Sequence, residues 1–325
     1  MMISIILNEW KILVRNQSIV YVSLVFMLSI ISVVWMGNLQ SKNQSQAQIA
    51  AEKHIRAQWD NLEPMNPHRA AHYGVYVFKP ISILNSLDDG VSSITGNVLK
   101  LEGHVQNEIV HSEASQSIAI SRFGKLKPST ILQYMVPLFL IFLSFGSISN
   151  DKETGRLKLI ALQGVSLEKL VLSKSLSIWL YGLILLIFSI LLQLLLGSSS
   201  ADFGTRIGFI LISYGLYYFI VVCLSTYISA SFKNNTSAIS LLLATWILWT
   251  IFLPKIWGNT VEKVHPLPSR QNFILQMKED RSKGIDGHNP TDERRSKLKE
   301  EYLARYNVDS LSQLPINFDG IVMQA

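Results

Sequence analysis

The sequence predicts an all-α polytopic membrane protein that carries an α+β extracytosolic domain. Of its 325 residues, 49% are hydrophobic and only 16% are charged, a composition too apolar for an ordinary soluble domain. Five apolar runs contain no Asp, Glu, Lys, Arg or His, and Lys and Arg are concentrated in short segments between them. Together, these two observations decide the fold class.

Residues 1–17 are predicted to form an amphipathic connecting helix. Apolar side chains recur there at i, i+3, i+4 and i+7, with polar residues on the remaining faces. We expect the helix to lie in the inner headgroup layer, with Trp10 as an interfacial anchor and basic side chains toward anionic lipid. A simple lead-in to the first span is the alternative. The residues assigned to this membrane-interface helix are Glu9, Trp10, Lys11 and Arg15.

The five apolar runs are predicted membrane spans, because each approaches the roughly 17 to 25 residues that cross a bilayer core. The fifth run ends at Pro254 and is marginal unless it extends to Trp257. Tyrosines on the fourth span either line a path or pack helices together. We expect a sixth span in the complete protein. The predicted boundaries are 18–37 for the first span, 131–148 for the second and 175–257 for the third to fifth.

Basic residues in short loops indicate which segments face the cytoplasm. Lys11 and Arg15 precede the first span, five basic residues lie in 149–174, and Lys233 lies between the last two spans. The N-terminus and the 149–174 loop are therefore predicted to be cytoplasmic, whereas 38–130 and 258–325 are extracytosolic. Most of the net charge of +6 lies on the cytoplasmic segments. That placement fits anionic lipid and gives no reason to expect nucleic-acid binding.

The 149–174 loop is predicted to contain a short helix, a sharp turn at Gly164 and a second helix that enters the third span. Leu157 and Ile160 recur at helical spacing, and Ser166 suits an N-cap with Glu168 in the following turn. Such a rigid projection can transmit force. A solvated loop whose charges only fix the topology is the alternative.

The two outer regions mix several predicted elements. Apolar periodicity predicts an amphipathic helix over 46–62, a strand over 74–78, mixed structure over 98–120, and charged helices over 271–283 and 292–306.

Histidines in the first outer region have two interpretations. His68 and His72 are spaced i, i+4, which places both imidazoles on one face of a helix and suits a transition metal, with His104 as a further candidate. Ordinary hydrogen-bonded histidines are the alternative.

The sequence offers little support for an enzyme. It contains no Gly-x-x-x-x-Gly-Lys-Ser/Thr phosphate loop, no His-Glu-x-x-His motif and no Gly-x-Ser-x-Gly motif. Ser166 to Lys169 match Ser-x-x-Lys, but a helix cap explains them better. The spans also lack the ionisable residues typical of an ion path.

Several ordered motifs resemble the permease subunits of type-2 ABC exporters, the ABC-2 family. They are Glu9-Trp10-Lys11 before the first span, Glu153-Thr154-Gly155-Arg156-Leu157 after the second, and Gly164-Val165-Ser166 followed by Lys174. The outer regions resemble a subclass with large extracytosolic insertions, itself a domain of unknown function. Its similar segments include Asn66 to Gly74, Leu87 to Val91, Leu101 to Asn107, His265 to Arg270 and Asn317 to Gly320.

This resemblance implies a permease in the bacterial cytoplasmic (inner) membrane, paired with a second permease copy or a paralogue. It implies that the 149–174 loop forms a coupling helix that docks on a separate ABC ATPase. The residues expected at that contact are Glu153, Arg156, Lys158, Ser166 and Glu168. We expect no cofactor on this chain, because ATP and Mg²⁺ would bind the ATPase. The alternative is a non-transporting membrane scaffold whose outer domain binds an envelope protein.

Overall fold

The computed structural model describes residues 2–80, 83–103, 126–196, 203–283 and 293–322. These residues are mostly helical, and they include five helices that are long and apolar enough to cross a membrane. The predicted all-α polytopic class is therefore confirmed. The chain divides into two compact units, Met1–Leu253 and Pro254–Ala325.

The first unit begins with two helices separated by a single residue. Helix α1 (Met2–Arg15) ends before Asn16, whose side chain accepts hydrogen bonds from the Ser18 and Ile19 amides at 3.1 and 3.4 Å. Asn16 thereby caps α2 (Gln17–Asp60), a continuous helix of 44 residues. At 1.5 Å per residue α2 is about 66 Å long. The first span and the predicted 46–62 helix are thus parts of one element.

A small sheet follows α2. Helix α3 (Pro67–Tyr73) leads into β1 (Val75–Phe78); a 3₁₀ turn (Ile83–Ser86), α4 (Ser92–Thr95) and β2 (Val98–Leu101) come next. The strands are antiparallel, with Val75 opposite Leu101 and Phe78 opposite Val98. The predicted 74–78 strand is confirmed. Residues 104–120 of the predicted mixed segment lie outside the described ranges.

The remaining helices of the first unit form a bundle with α2. Its core contains Val34 from α2 and the fully buried side chains of Leu140, Leu186 and Tyr218 from three other helices. Outward faces carry exposed apolar side chains such as Leu28, as expected of helices in contact with lipid. In order, these elements are α5 (Pro128–Thr130), a π-helical turn (Ile131–Met135), α6 (Val136–Ser144), α7 (Ser149–Glu153), α8 (Arg156–Leu162), α9 (Leu167–Leu196), α10 (Phe203–Ser231), α11 (Asn235–Ile247) and a second π-helical turn (Leu248–Phe252). Helix α12 (Leu253–Val264) follows and belongs to the second unit from Pro254 onward.

Prolines occur within two of the long helices without ending them. A proline lacks the amide N–H and its ring clashes with the carbonyl four residues earlier. A π-helical turn lies just before Pro137 and another just before Pro254, where the wider turn accommodates the ring. The fifth apolar run therefore continues past Pro254 in a helix that spans Asn235–Val264.

The second unit has a small core of its own. Leu314, Phe318 and Val322 are buried together and pack against Leu298 and Tyr302. The predicted helices at 271–283 and 292–306 correspond to α13 (Arg270–Lys283) and α14 (Glu293–Tyr306). A 3₁₀ turn (Leu311–Gln313) and α15 (Phe318–Val322) complete the unit's described elements.

Candidate coupling site

A cluster of charged side chains joins α1, α7, α8 and α9 at one end of the bundle. The Lys174 Nζ atom is 2.6 Å from Asp151 Oδ2 and 3.3 Å from Glu9 Oε1. The other oxygen of Asp151, Oδ1, is 3.2 Å from Arg156 Nη2. We call Glu9, Asp151, Arg156 and Lys174 the ion-pair cluster.

The ion pair at the centre of the cluster is buried, and it is therefore stronger than the exposed ion pair at the edge. The side chains of Lys174 and Asp151 are only 8% and 6% exposed, whereas that of Arg156 is 54% exposed. Lys174 also donates a hydrogen bond to the Ser147 carbonyl at 2.8 Å. Charges withdrawn from water persist only when they are paired and hydrogen-bonded. The cluster therefore fixes α7 against α9 and holds the start of α8 beside them.

Local backbone geometry places these charges. Gly155, with φ of 75°, separates α7 from α8 and puts Arg156 at the first position of α8. The hydroxyl of Ser229 on α10 accepts hydrogen bonds from the Ile148 and Ser149 amides, each at 3.1 Å. Lys152 donates a further bond to the Ala230 carbonyl. Helix α7 is therefore anchored on α10 as well as on α9.

Helix α8 and the turn after it expose apolar side chains. Leu159 and Leu162 are 61% and 83% exposed, and Leu167 at the start of α9 is also exposed. Gly164, with φ of 80°, makes the turn that the sequence predicted, and α9 begins directly after Ser166. Because α8 has seven residues, it is too short to cross a bilayer. Large apolar side chains exposed on such a helix are typical of a surface that contacts a protein or the membrane.

The residues predicted for ATPase contact surround this apolar face. Glu153, Arg156, Lys158, Ser166 and Glu168 are all exposed. Sequence reasoning selected these polar residues but missed Leu159 and Leu162. Their i, i+3 spacing places Leu159 and Leu162 on one face of α8, whereas the partly buried Leu157 and Ile160 lie on another. That spacing could have identified the apolar face from the sequence.

The four residues assigned to the membrane-interface helix have different surroundings. Glu9 pairs with Lys174, and the Trp10 ring lies 6.0 Å from the Tyr181 ring on α9, so both side chains face the bundle. Lys11 and Arg15 are exposed. Helix α1 is thus packed on α9 through one face and exposes apolar side chains such as Ile3 and Leu7 on another.

A cavity of about 740 Å³ lies between α1 and the helices α6 to α9. All four residues of the ion-pair cluster line it, together with apolar side chains that include Phe142 and Ile178.

Tyrosines of α10 complete a second polar network farther along the bundle. Tyr217 and Tyr218 donate hydrogen bonds to the Gln133 and Leu132 carbonyls in the first π-helical turn, at 3.1 and 2.9 Å. Tyr214 donates to Asp88 at 3.3 Å. These bonds favour the packing interpretation of the tyrosines, because π-helical geometry disturbs the regular pairing of backbone carbonyls.

The histidine candidates are only partly described. On α3, His68 is exposed and His72 is half-buried, and their Nε2 atoms lie 3.3 Å apart. His104 lies outside the described residues. Within the described ranges, no three His, Cys, Asp or Glu residues group together as a metal site.

Comparison with protein-family models shows which family the chain belongs to. The family model for an ABC-2 family transporter protein matches residues 67–261, more than half of the chain. The chain belongs to the ABC-2 family. A second model, for a domain of unknown function (DUF3526), matches residues 270–325. None of the curated proteins matches the chain.

As an ABC-2 family member, the chain is a membrane permease subunit of an ABC transporter, and the family implies a partner ATPase. The matched range includes α7, α8 and the start of α9. It therefore contains every residue of the ion-pair cluster except Glu9.

Proposed function

We propose that this ABC-2 permease subunit belongs to an ATP-driven exporter and is coupled to its ATPase through the 149–174 loop. The observation that carries the proposal is the exposed apolar face of α8 next to the buried ion-pair cluster. Leu159 and Leu162 offer a docking surface, and Arg156 connects that surface to Asp151 and Lys174.

The proposed orientation places α1 and the 149–174 loop at the cytoplasmic face of a bacterial inner membrane. The loop charges and the net charge of +6 support this orientation. The chain then works with a second permease copy or a paralogue, and each permease contacts one ATPase. ATP and Mg²⁺ bind the ATPase.

Movement passes from α8 to the spans through the ion-pair cluster. When the ATPase pair closes on ATP, it displaces α8 and with it Arg156. Asp151 and Lys174 follow as a pair, because separating two buried charges leaves each without its partner. Lys174 belongs to α9 and also binds Glu9, so α9 and α1 move together.

The Leu162→Glu variant tests the docking surface. Leu162 is 83% exposed, so the substitution leaves the fold intact but places a charge in an apolar contact. We expect the unmodified chain to co-purify with an ABC ATPase and to stimulate ATP hydrolysis, and Leu162→Glu to lose both. Leu267→Glu is the matched control, because Leu267 is 88% exposed but lies in the second unit.

Two outcomes would contradict the proposal. Either no ABC ATPase co-purifies with the unmodified chain, or Leu162→Glu binds and stimulates the ATPase as well as Leu267→Glu does. In liposomes, stimulation by a transported compound would support export. Substrate-independent stimulation would favour the scaffold alternative.

A further inference from the structure

We propose that His68 and His72 bind a divalent transition-metal ion of the zinc, nickel or copper class. This site is independent of the coupling function. The two imidazoles project from one face of α3, and their Nε2 atoms are 3.3 Å apart.

The separation of the two nitrogens suits a single metal ion. Zinc–imidazole bonds are about 2.0 to 2.1 Å long. If both nitrogens, 3.3 Å apart, bind one ion at about 2.1 Å, the nitrogen–metal–nitrogen angle is about 104°. This angle is close to the tetrahedral value. The backbone therefore needs no rearrangement to bind the ion.

Helix α3 is held firmly on both sides of the pair. The Asn66 side chain caps its first turn by accepting a hydrogen bond from the Arg69 amide at 2.7 Å. The Gly103 amide donates to the carbonyl of Ala71, the residue before His72, at 2.8 Å. A Cβ on Gly103 would lie only 3.1 Å from the Ala71 Cβ, so the two segments are in close contact. The site is thus preorganised, which lowers the entropic cost of binding.

His68 is exposed and His72 is partly exposed, so an ion can reach both imidazoles from solvent. When both rings are neutral, the 3.3 Å contact is a hydrogen bond in which one Nε2 donates its proton to the other. The metal replaces that proton, which passes to solvent, and each Nε2 then supplies a lone pair. Imidazole ligands favour zinc, copper and nickel over magnesium or calcium.

Calorimetric titration with Zn²⁺ and Ni²⁺ tests the site in the full chain, purified without a polyhistidine tag and stripped of metal. We expect one site per chain, and at least tenfold weaker binding in both His68→Ala and His72→Ala. His54→Ala is the matched control, because His54 is exposed on α2 and should leave the affinity unchanged. A metal-dependent rise in the unfolding temperature should follow the same pattern.

The proposal fails if the unmodified chain binds neither ion. It also fails if His68→Ala and His72→Ala bind as tightly as His54→Ala. Without metal, an unfolding temperature equal to that of the unmodified chain verifies that each variant is folded.

Discussion

The Lys174→Met substitution tests whether the ion-pair cluster holds the bundle together. Methionine keeps most of the side-chain volume but removes the cation shared by Asp151 and Glu9. Removing one partner of a buried ion pair costs about 3 to 5 kcal/mol, because the other charge stays buried without compensation. Asp151 retains Arg156 at 3.2 Å, and Glu9 is accessible enough to recruit water. We therefore expect a loss of about 3 kcal/mol, at the lower end of that range.

Thermal unfolding in detergent, followed by tryptophan fluorescence, measures this loss. For a unit of this size, 1 kcal/mol shifts the midpoint by about 2 °C, so Lys174→Met should lower it by about 6 °C. Arg156→Met is the control within the same cluster. Because its side chain is 54% exposed, it should cost less than about 1 kcal/mol.

A double-mutant cycle then isolates the pair. Asp151→Asn combined with Lys174→Met should be less destabilising than the sum of the single variants by at least about 1 kcal/mol. Additive effects would refute the reasoning. So would a Lys174→Met midpoint no lower than that of Arg156→Met.

Three further substitutions test packing and helix continuity through the same unfolding midpoint. Gly37→Ala should destabilise the bundle by about 1 to 3 kcal/mol, because its Cβ would lie 2.4 Å from the Ser86 carbonyl oxygen. Gln193→Leu should cost about 2 kcal/mol, because the buried Asn38 amide loses its bond of 2.9 Å to the Gln193 carbonyl oxygen. Asn43→Pro should cost about 3 kcal/mol and reduce helical circular dichroism, because it removes a backbone bond inside α2.

Each of these variants has a matched control. Gly208→Ala lies in a helix with open space around its Cβ, so it should stabilise by up to about 1 kcal/mol, opposite in sign to Gly37→Ala. Gln40→Leu, at an exposed position on α2, should be nearly neutral. Asn43→Ala should preserve α2. A variant that behaves like its control would show that the assigned contact is unimportant.

The length of the uninterrupted apolar runs was sufficient to predict the membrane helices. Runs without a single charge leave few alternatives to a span, because a buried charge there is costly. The helix, turn and helix of 149–174 also followed from local signals, since Gly164 and Ser166 act on adjacent backbone. The sequence could not show how the helix continues through Pro254 to Val264, because the π-helical turn before that proline has no sequence signature.

Tertiary pairing is what the sequence could not reveal. In the sequence, Lys174 is one of several charged residues in the 149–174 loop, and Glu9 lies on the polar face of a predicted helix. Only the packing of α1 on α9 brings the two side chains together and withdraws Lys174 from water. The apolar spacing of Leu159 and Leu162 was visible, but their exposure depends on where α8 projects.

Under the proposed mechanism, α2 carries movement from the ion-pair cluster toward the sheet. Glu9 attaches α1 to Lys174, and Asn16 alone separates α1 from α2. Farther along α2, Gln48 donates a hydrogen bond of 3.4 Å to the Lys79 carbonyl, just after β1. Gln48 lies about 47 Å along the helix from Gln17, so a tilt of α2 by about 5° about its first residue moves Gln48 by about 4 Å. A displacement of α1 that tilts α2 therefore reaches the sheet through one continuous helix, without a chain of intermediate side-chain contacts.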